Sequence, residues 1–255
     1  MMKIRTVTRY KAFGWHLIFS TTIALFCASI VFYLWYPGLL AKASGVINIF
    51  MLLLIVDVVL GPIITLIVFN PLKKELKRDL FIVIAIQLIA LTYGLYTVFV
   101  TRPVYIVFNS GAFDVVHANE ISKENQDKAT RQQFRYLSYF GPEYIAAHLP
   151  KDPKVAEKII LSAVSGGNDI QHLPEYYLPY IEAKDEVIKQ LKPLSDLKTF
   201  NKDSIRQVNY LIERYETANT EVGFLPLKGK LQDLTVVISR SNGEILETKD
   251  LRPRL

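Results

Sequence analysis

The residues best placed for unusual chemistry are Asp57 and the Gly61, Pro62 and Thr65 that follow it. They lie in an apolar run over residues 46–69. About 24 residues form a helix about 36 Å long, enough to cross a hydrocarbon core of about 30 Å. Asp57 would then lie near the bilayer midplane, where inserting a carboxylate costs about 3 kcal/mol. An ionisable side chain at that depth indicates a function by default.

The neighbours of Asp57 suggest how its carboxyl group is used. Gly61 lies one turn further along the same helix face and permits close approach of another helix. Pro62 lacks an N–H and leaves the carbonyl of Val58 without its helical donor, which predicts a kink. The Thr65 hydroxyl can bond backbone carbonyls. Helix packing, contact with a partner, and movement of an ion or proton are the three interpretations of this set.

Two further apolar runs would position Asp57 within a bundle. Membrane spans are predicted over residues 17–36, 46–69 and 80–100, because each run is long enough to cross the bilayer. Counting depth along these spans places polar residues of the first and third near Asp57. The predicted polar layer has four members: Ser29, Asp57, Gln87 and Tyr93.

The charge distribution separates a membrane part from the rest. The chain carries a net charge of +6 and is 51% hydrophobic. Residues 1–102 hold 10 Lys and Arg against 3 acidic residues, whereas residues 103–255 hold 20 against 21. The basic residues therefore flank the spans, which argues against nucleic acid as a partner.

The placement of these basic residues predicts the topology. Four precede the first span, one lies in the next connection, and four lie in the connection after that; they are Lys3, Arg5, Arg9, Lys11, Lys42, Lys73, Lys74, Lys77 and Arg78. By the positive-inside rule, residues 1–16 form a cytoplasmic basic tail, and residues 103–255 lie outside the cytoplasm. The cluster at residues 73–78 would contact anionic lipid, with a cytoplasmic protein as the alternative. An uncleaved first helix is favoured over a cleaved signal peptide, because its apolar run is too long.

Residues 103–255 predict an α+β domain with an antiparallel sheet, joined to the third span at Arg102 and Pro103. Strands are predicted at residues 104–108, 113–121, 222–228, 234–240 and 243–249. Helices are predicted at residues 125–140, just before Pro150, and at 155–164, 181–191 and 205–215.

No residue pattern predicts catalysis. The single cysteine, Cys27, cannot form a disulfide within the chain. The four histidines have no spacing suited to a metal, so no metal or cofactor is expected. The chain is therefore expected not to be an enzyme.

One set of residues, from the second span to the first strands of the outer domain, gives the sequence a resemblance to a family. These residues are Asp57, Leu60-Gly61-Pro62, Thr65, Lys73-Lys74, Asp79-Leu80, Gln87, Ala90, Tyr93-Gly94, Arg102-Pro103-Val104, Phe108 and Phe113. With them the sequence resembles the type IV pilin accessory proteins, the TfpX/TfpZ group, also described as FimB-like. The match covers the whole chain and is most specific over residues 57–121, although the ending Arg252-Pro253-Arg254-Leu255 replaces an expected Pro-Trp.

The resemblance implies a bacterial inner-membrane accessory protein whose outer domain, residues 103–255, lies in the periplasm. Such a protein supports the stability or assembly of a major type IV pilin, or the dynamics of the pilus. In the mechanism expected from it, the Gly61 face of the second span meets the pilin helix and the outer domain meets the pilin head. A homo-oligomer is left open. The alternatives are a membrane-anchored periplasmic sensor, an enzyme such as a glycan transferase, and a small transporter built on Asp57.

Overall fold

The computed structural model describes residues 8–254, so Lys3, Arg5 and Leu255 lie outside the described residues. Two compact units form within this range. One contains residues 8–34 and 45–100, and the other contains residues 35–44 and 101–254.

The first unit contains three helices long and apolar enough to cross a membrane: Arg9–Trp35, Val46–Val68 and Leu76–Val100. The first begins eight residues before the predicted span. Two of the three contain π-helical segments, at Ile30–Trp35 and Ile55–Leu60. The α-helices up to this point are α1 (Arg9–Ser29), α2 (Leu40–Ser44), α3 (Val46–Leu54), α4 (Gly61–Val68) and α5 (Leu76–Val100).

The second unit is built on a seven-stranded sheet with strand order β4-β3-β1-β2-β5-β6-β7. The strands are β1 (Pro103–Asn109), β2 (Ala112–His117), β3 (Glu143–Ala147), β4 (Tyr177–Pro179), β5 (Val222–Lys228), β6 (Leu234–Ser239) and β7 (Ile245–Lys249). The helices of this unit beyond α2 are α6 (Lys123–Asp127), α7 (Pro153–Val164), α8 (Tyr180–Gln190), α9 (Leu197–Phe200) and α10 (Ile205–Thr217). The predicted membrane-anchored α+β class is confirmed.

The sheet has a core on each face, which explains the unbroken apolar run of β1. Ile106 and Phe108 pack in one cluster with Ala183 and Val187 of α8. The alternate residues of β1, including Tyr105, pack in a second cluster with α7. Because successive side chains of a strand point to opposite faces, a strand covered on both sides is apolar throughout.

The sheet is mixed, whereas the sequence predicted an antiparallel one. β1 pairs with β3 in parallel and β2 pairs with β5 in parallel, while the other four pairings are antiparallel. Part of the error came from residues 143–147, which were predicted as a helix before Pro150 and form β3. The parallel pairing of β2 with β5 joins two segments that were predicted as strands. A short apolar run is ambiguous between helix and strand, and pairing with β1 decides it here.

The helix predicted over residues 125–140 was also wrong. α6 ends at Asp127, and a single 3₁₀ turn follows at Gln132–Phe134. Phe134 is fully buried, but Tyr136, Tyr139 and Phe140 are exposed. The segment therefore has no apolar stripe at helical spacing to pack against the sheet.

Candidate functional site

A cavity of about 400 Å³ lies among the three spans. Its walls are mostly apolar, and its polar groups are confined to a few positions, as in many ligand-binding cavities. The side chains with polar or titratable groups come from all three spans: His16, Ser20, Cys27, Asp57, Thr65 and Gln87.

Asp57 is the most unusual member of this lining. It is 8% exposed, and within residues 8–254 neither of its carboxylate oxygens has a hydrogen-bond partner. The Oε1 atom of Gln87 likewise has no hydrogen-bond partner within the described residues. Buried acceptors in apolar surroundings are costly unless a donor reaches them. Three buried acceptor oxygens without a donor therefore belong to residues that line the cavity.

The backbone next to Asp57 follows from Pro62 and the π-helical register. The Gly61 N–H donates to the carbonyl of Val56, five residues back. In this register the Asp57 carbonyl faces Pro62, which has no N–H to donate. Gln87 Nε2 donates to that carbonyl instead, at 3.2 Å. The carbonyl predicted to lose its donor was that of Val58, because a regular α-helix was expected here.

Gly61 is where the third span approaches the second. A Cβ atom at Gly61 would lie 1.9 Å from Gln87 Nε2, so only glycine leaves room for this contact. Gly61, Pro62 and Thr65 are all buried. Gln87 of the same chain therefore occupies the space beside Gly61, and the expected contact of this helix face with a pilin helix stays a prediction.

Thr65 contacts the first span through His16. The Thr65 Oγ1 and His16 Nδ1 atoms are 2.6 Å apart. His16 was not predicted to face Thr65, because the first span was predicted to begin at Leu17, whereas the helix begins at Arg9. Ala12 and Phe13, apolar residues that precede His16, were the signal that could have extended it.

Two predicted members of the polar layer lie elsewhere. Ser29 is exposed, and its hydroxyl donates to the carbonyl of Leu25 in its own helix. Tyr93 is 73% exposed. The predicted four-residue layer was wrong in these two members, and the structure brings only Gln87 to Asp57.

The connection between the first two spans belongs to the sheet domain, which the sequence did not predict. Leu40 and Ala43 of α2 are buried in the core cluster that contains Phe108. The backbone N–H of Leu231 donates to the Ala43 carbonyl at 2.9 Å. A short segment with one charge gave no periodicity from which this packing could be predicted.

Ser44 at the end of α2 joins a buried hydrogen-bonded network. Its Oγ atom lies 3.1 Å from His117 Nε2, and His117 Nδ1 lies 3.1 Å from Glu120 Oε2. Glu120 also accepts from the His117 backbone N–H at 2.7 Å and pairs with Lys230 at 2.9 Å. Burial opposes ionisation of Glu120, but the bonds from His117 and Lys230 outweigh it and lower its pKa to about 2.

The order Ser44, His117, Glu120 resembles the connectivity of a hydrolase triad. His117 is 1% exposed, and Glu120 caps the backbone of the turn that follows β2. Ser44 is not among the residues that line the cavity between the spans. The hydrogen bonds tie α2 to β2.

Arg102 and Pro103 begin the sheet domain after the third span. Arg102 is 5% exposed, and its Nε and Nη2 atoms donate to the carbonyl of Ser138 at 3.1 and 2.7 Å. Its guanidinium lies over the ring of Tyr139, with Cζ 5.6 Å from the ring centroid. Pro103 is the first residue of β1. Arg102 therefore holds a neighbouring loop against the start of the sheet.

The four basic residues after the second span are exposed. Lys73 pairs with Asp79, and Arg78 pairs with Glu75 at 2.5 Å. Lys74 and Lys77 add two further exposed cations. Within the described chain, no group of three or more His, Cys, Asp or Glu residues is placed to hold a metal ion.

Comparison with known proteins gives a consistent family. The family described as fimbrial assembly protein FimB matches residues 4–45. The fimbrial assembly proteins of Dichelobacter nodosus serogroups I and E1 are 30% and 31% identical to this chain over 230 and 232 residues, which is 89% of each chain. The protein of serogroups C1 and C2 is 36% identical over 123 residues, 48% of this chain and 94% of that relative. No solved structure matches. The chain belongs to the FimB family of fimbrial assembly proteins.

Proposed function

We propose that this chain is an inner-membrane assembly factor for a type IV pilus, and that it acts by contacting the major pilin. The observation that carries the proposal is its similarity to fimbrial assembly proteins over 89% of its length. A role in fimbrial biogenesis follows from this similarity. The proposed role is non-catalytic, because a factor that binds and positions pilin needs contacts and no reaction.

The charges around the spans support a cytoplasmic N-terminus and a periplasmic sheet domain. Basic residues in the first three flanking segments number four, one and four, and cytoplasmic segments are enriched in Lys and Arg. The exposed Lys74 and Lys77 would then contact anionic lipid on the cytoplasmic side. This topology places the sheet domain on the side where pilin heads are displayed before assembly.

The intramembrane cavity is the proposed contact for the pilin helix. The Asp57 carboxylate and Gln87 Oε1 offer acceptors that a polar or cationic group on a neighbouring helix would satisfy. In the most apolar stretch of each span, only 22%, 22% and 11% of residues are buried. Most of the span surface therefore remains available to lipid or to another helix.

The proposed contact for the pilin head is α7. Ile159 packs this helix onto the sheet, while Ile160, Leu161 and Val164 are 49%, 58% and 82% exposed. Adjacent exposed apolar side chains typically mark interaction surfaces. Two contacts on one chain raise the effective concentration of each for the same pilin, so two weak contacts suffice.

The experiment that tests the proposal is co-purification of pilin with tagged full-length variants from membranes. Asp57→Leu is expected to reduce pilin recovery several-fold, since it removes the acceptors of the cavity. Tyr93→Leu is the matched control, because Tyr93 is exposed and lines no part of the cavity. For α7, Leu161→Asp is paired with Ile181→Asp, a similarly exposed position on α8.

Each outcome tests either one of the two contacts or the role in pilus biogenesis. Normal recovery of pilin with Asp57→Leu, at normal levels of the variant, would contradict the contact at the cavity. Equal recovery of pilin with the α7 and α8 variants would contradict the contact at α7. Unchanged pilin levels and pilus display in a deletion strain would contradict a role in pilus biogenesis altogether.

A further inference from the structure

Three exposed aromatic residues, Tyr136, Tyr139 and Phe140, form what we call the aromatic patch. They are 73%, 67% and 70% exposed. Within the described part of the sheet domain, four Phe, Tyr or Trp residues are this exposed, and the fourth is Tyr210. Three of the four therefore lie within five consecutive residues, which points to a shared partner.

The backbone of the patch is fixed, so its rings are held outward. The Ser138 carbonyl accepts two bonds from the guanidinium of Arg102. The Phe140 N–H donates to the Ser138 hydroxyl at 3.1 Å. The Tyr105 hydroxyl, from β1, donates to the Tyr136 carbonyl at 3.5 Å. The patch is thus attached to the first residues of the sheet domain.

Chain continuity places that attachment beside the bilayer. The third span ends at Val100, so the Cα atom of Arg102 lies at most about 7.6 Å from it. The 25 residues of this span form a helix of about 37 Å, longer than a hydrocarbon core of about 30 Å. Its end therefore reaches the headgroup region, which is about 5 to 7 Å thick on each side.

Cations accompany two of the rings. The Arg102 Cζ atom lies 5.6 Å from the centroid of Tyr139, and the Lys123 Nζ atom lies 5.9 Å from the centroid of Tyr136. Aromatic rings with an apolar body and a polar edge are enriched at the headgroup level, and basic side chains there attract anionic lipid. The patch combines both features.

We infer that the aromatic patch inserts into the headgroup region of the bilayer that holds the spans, and that lipid is its partner. The inference stands independently of the contact with pilin.

The test uses full-length protein in nanodiscs of phosphatidylethanolamine and phosphatidylglycerol. In a Cys27→Ala background, Phe140→Cys is labelled with the fluorophore NBD. The control is Tyr210→Cys, which labels an equally exposed aromatic position on α10. Lipids with a nitroxide on the headgroup or on the upper acyl chain serve as quenchers.

The label at position 140 is expected to emit at shorter wavelength than the label at 210, and to be quenched several-fold more strongly by both lipids. Equal, water-like emission and quenching at the two positions would overturn the inference. Quenching at 140 that appears only after pilin is co-reconstituted would also overturn it, because the partner would then be a protein. If Phe140→Cys does not fold, Tyr136→Cys provides the same measurement at the other end of the patch.

Discussion

Gln87 Nε2 donates a hydrogen bond to the backbone carbonyl of Asp57 at 3.2 Å, so a side chain of the third span supplies the donor that Pro62 lacks. The proline, the π-helical register and the glutamine form one arrangement. The register turns the Asp57 carbonyl towards Pro62, and Gln87 supplies the donor that the proline lacks. Gly61 completes it by leaving the space that the Gln87 amide occupies. The π-helical part of the second span is thereby held against the third, directly beside the buried carboxyl group.

Gly61→Ala is therefore expected to destabilise the bundle by about 1 to 3 kcal/mol, the usual cost of overpacking. The added Cβ atom would displace the Gln87 amide, which it would approach to 1.9 Å. In a Gln87→Ala background the clash is absent, and the same substitution should be neutral or stabilise by up to about 1 kcal/mol through helix propensity. Denaturant titration in mixed micelles measures both free energies of unfolding.

Gly14→Ala is the control for this cycle, because a Cβ atom at Gly14 meets nothing within 4 Å. It should be neutral or slightly stabilising in either background. An equal cost of Gly61→Ala with and without the Gln87 side chain would show that the amide does not fill this space.

The packing of α2 in the sheet domain predicts that Gly229→Ala and Lys42→Ala lower the free energy of unfolding by different amounts. In Gly229→Ala, the Cβ atom would lie 2.4 Å from the Gln232 carbonyl oxygen and 2.9 Å from Ala43 Cβ. A loss of about 2 kcal/mol or more in the free energy of unfolding is expected, since backbone cannot move aside as a side chain can. Lys42→Ala removes only the exposed pair with Asp250, and should cost less than about 1 kcal/mol. Similar losses for the two variants would contradict the packing of α2.

The sequence predicted the elements whose pattern is local. The Ser110-Gly111 turn has φ values of +47° and +82°, which suit a two-residue hairpin, and the strands on either side of it were predicted close to their ends. The spans were predicted because apolar runs of that length have few alternatives. Asp57 and Gln87 were both identified, because polar residues are rare within such runs.

What could not be predicted depends on contacts between distant parts of the chain. β3 is a strand because it pairs with β1, and nothing within residues 143–147 specifies this. His16 was predicted to lie in the cytoplasmic tail, although its ring contacts the hydroxyl of Thr65, 49 positions along the chain. Ser44 and His117 are 73 positions apart, and no local pattern relates them.

The pKa of Glu120 predicts how stability changes with pH. Its folded-state pKa of about 2 is below its ordinary value of 4.5. A carboxyl group with a depressed pKa stabilises the folded state above pH 4.5, and that contribution is lost as the pH falls towards 2. A shift of this size corresponds to about 3 kcal/mol. Thermal unfolding of wild type should therefore show a marked loss of stability over this pH range.

Glu120→Gln should be less stable than wild type at neutral pH and should converge with it near pH 2, because the amide cannot ionise. Glu124→Gln is the control, four residues along the chain on exposed surface. It should retain the wild-type pH dependence. An unchanged acid transition in Glu120→Gln would mean that another carboxyl group is responsible.

Arg102→Lys tests whether one guanidinium fixes the aromatic patch. A lysine ammonium has one nitrogen on a flexible stem, so it cannot reproduce the two bonds that the planar guanidinium makes from Nε and Nη2 to the Ser138 carbonyl. A hydrogen bond that involves a charged group contributes about 1.5 to 3 kcal/mol to stability, and this contribution is lost when the bond is removed. Backbone amides at residues 136–140 should therefore exchange with solvent several-fold faster, as measured by hydrogen exchange in nanodiscs.

Arg131→Lys is the matched control for this change. Arg131 also makes a two-pronged contact, with Glu182 at 2.5 and 2.6 Å, but both side chains are exposed. An exposed pair contributes little to stability because solvent screens it, so exchange near Arg131 should change little. In Arg102→Lys, the label at position 140 should also be quenched less by nitroxide lipids, because the rings are no longer held at the headgroup level. Wild-type exchange and quenching in this variant would show that the loop holds its position without Arg102.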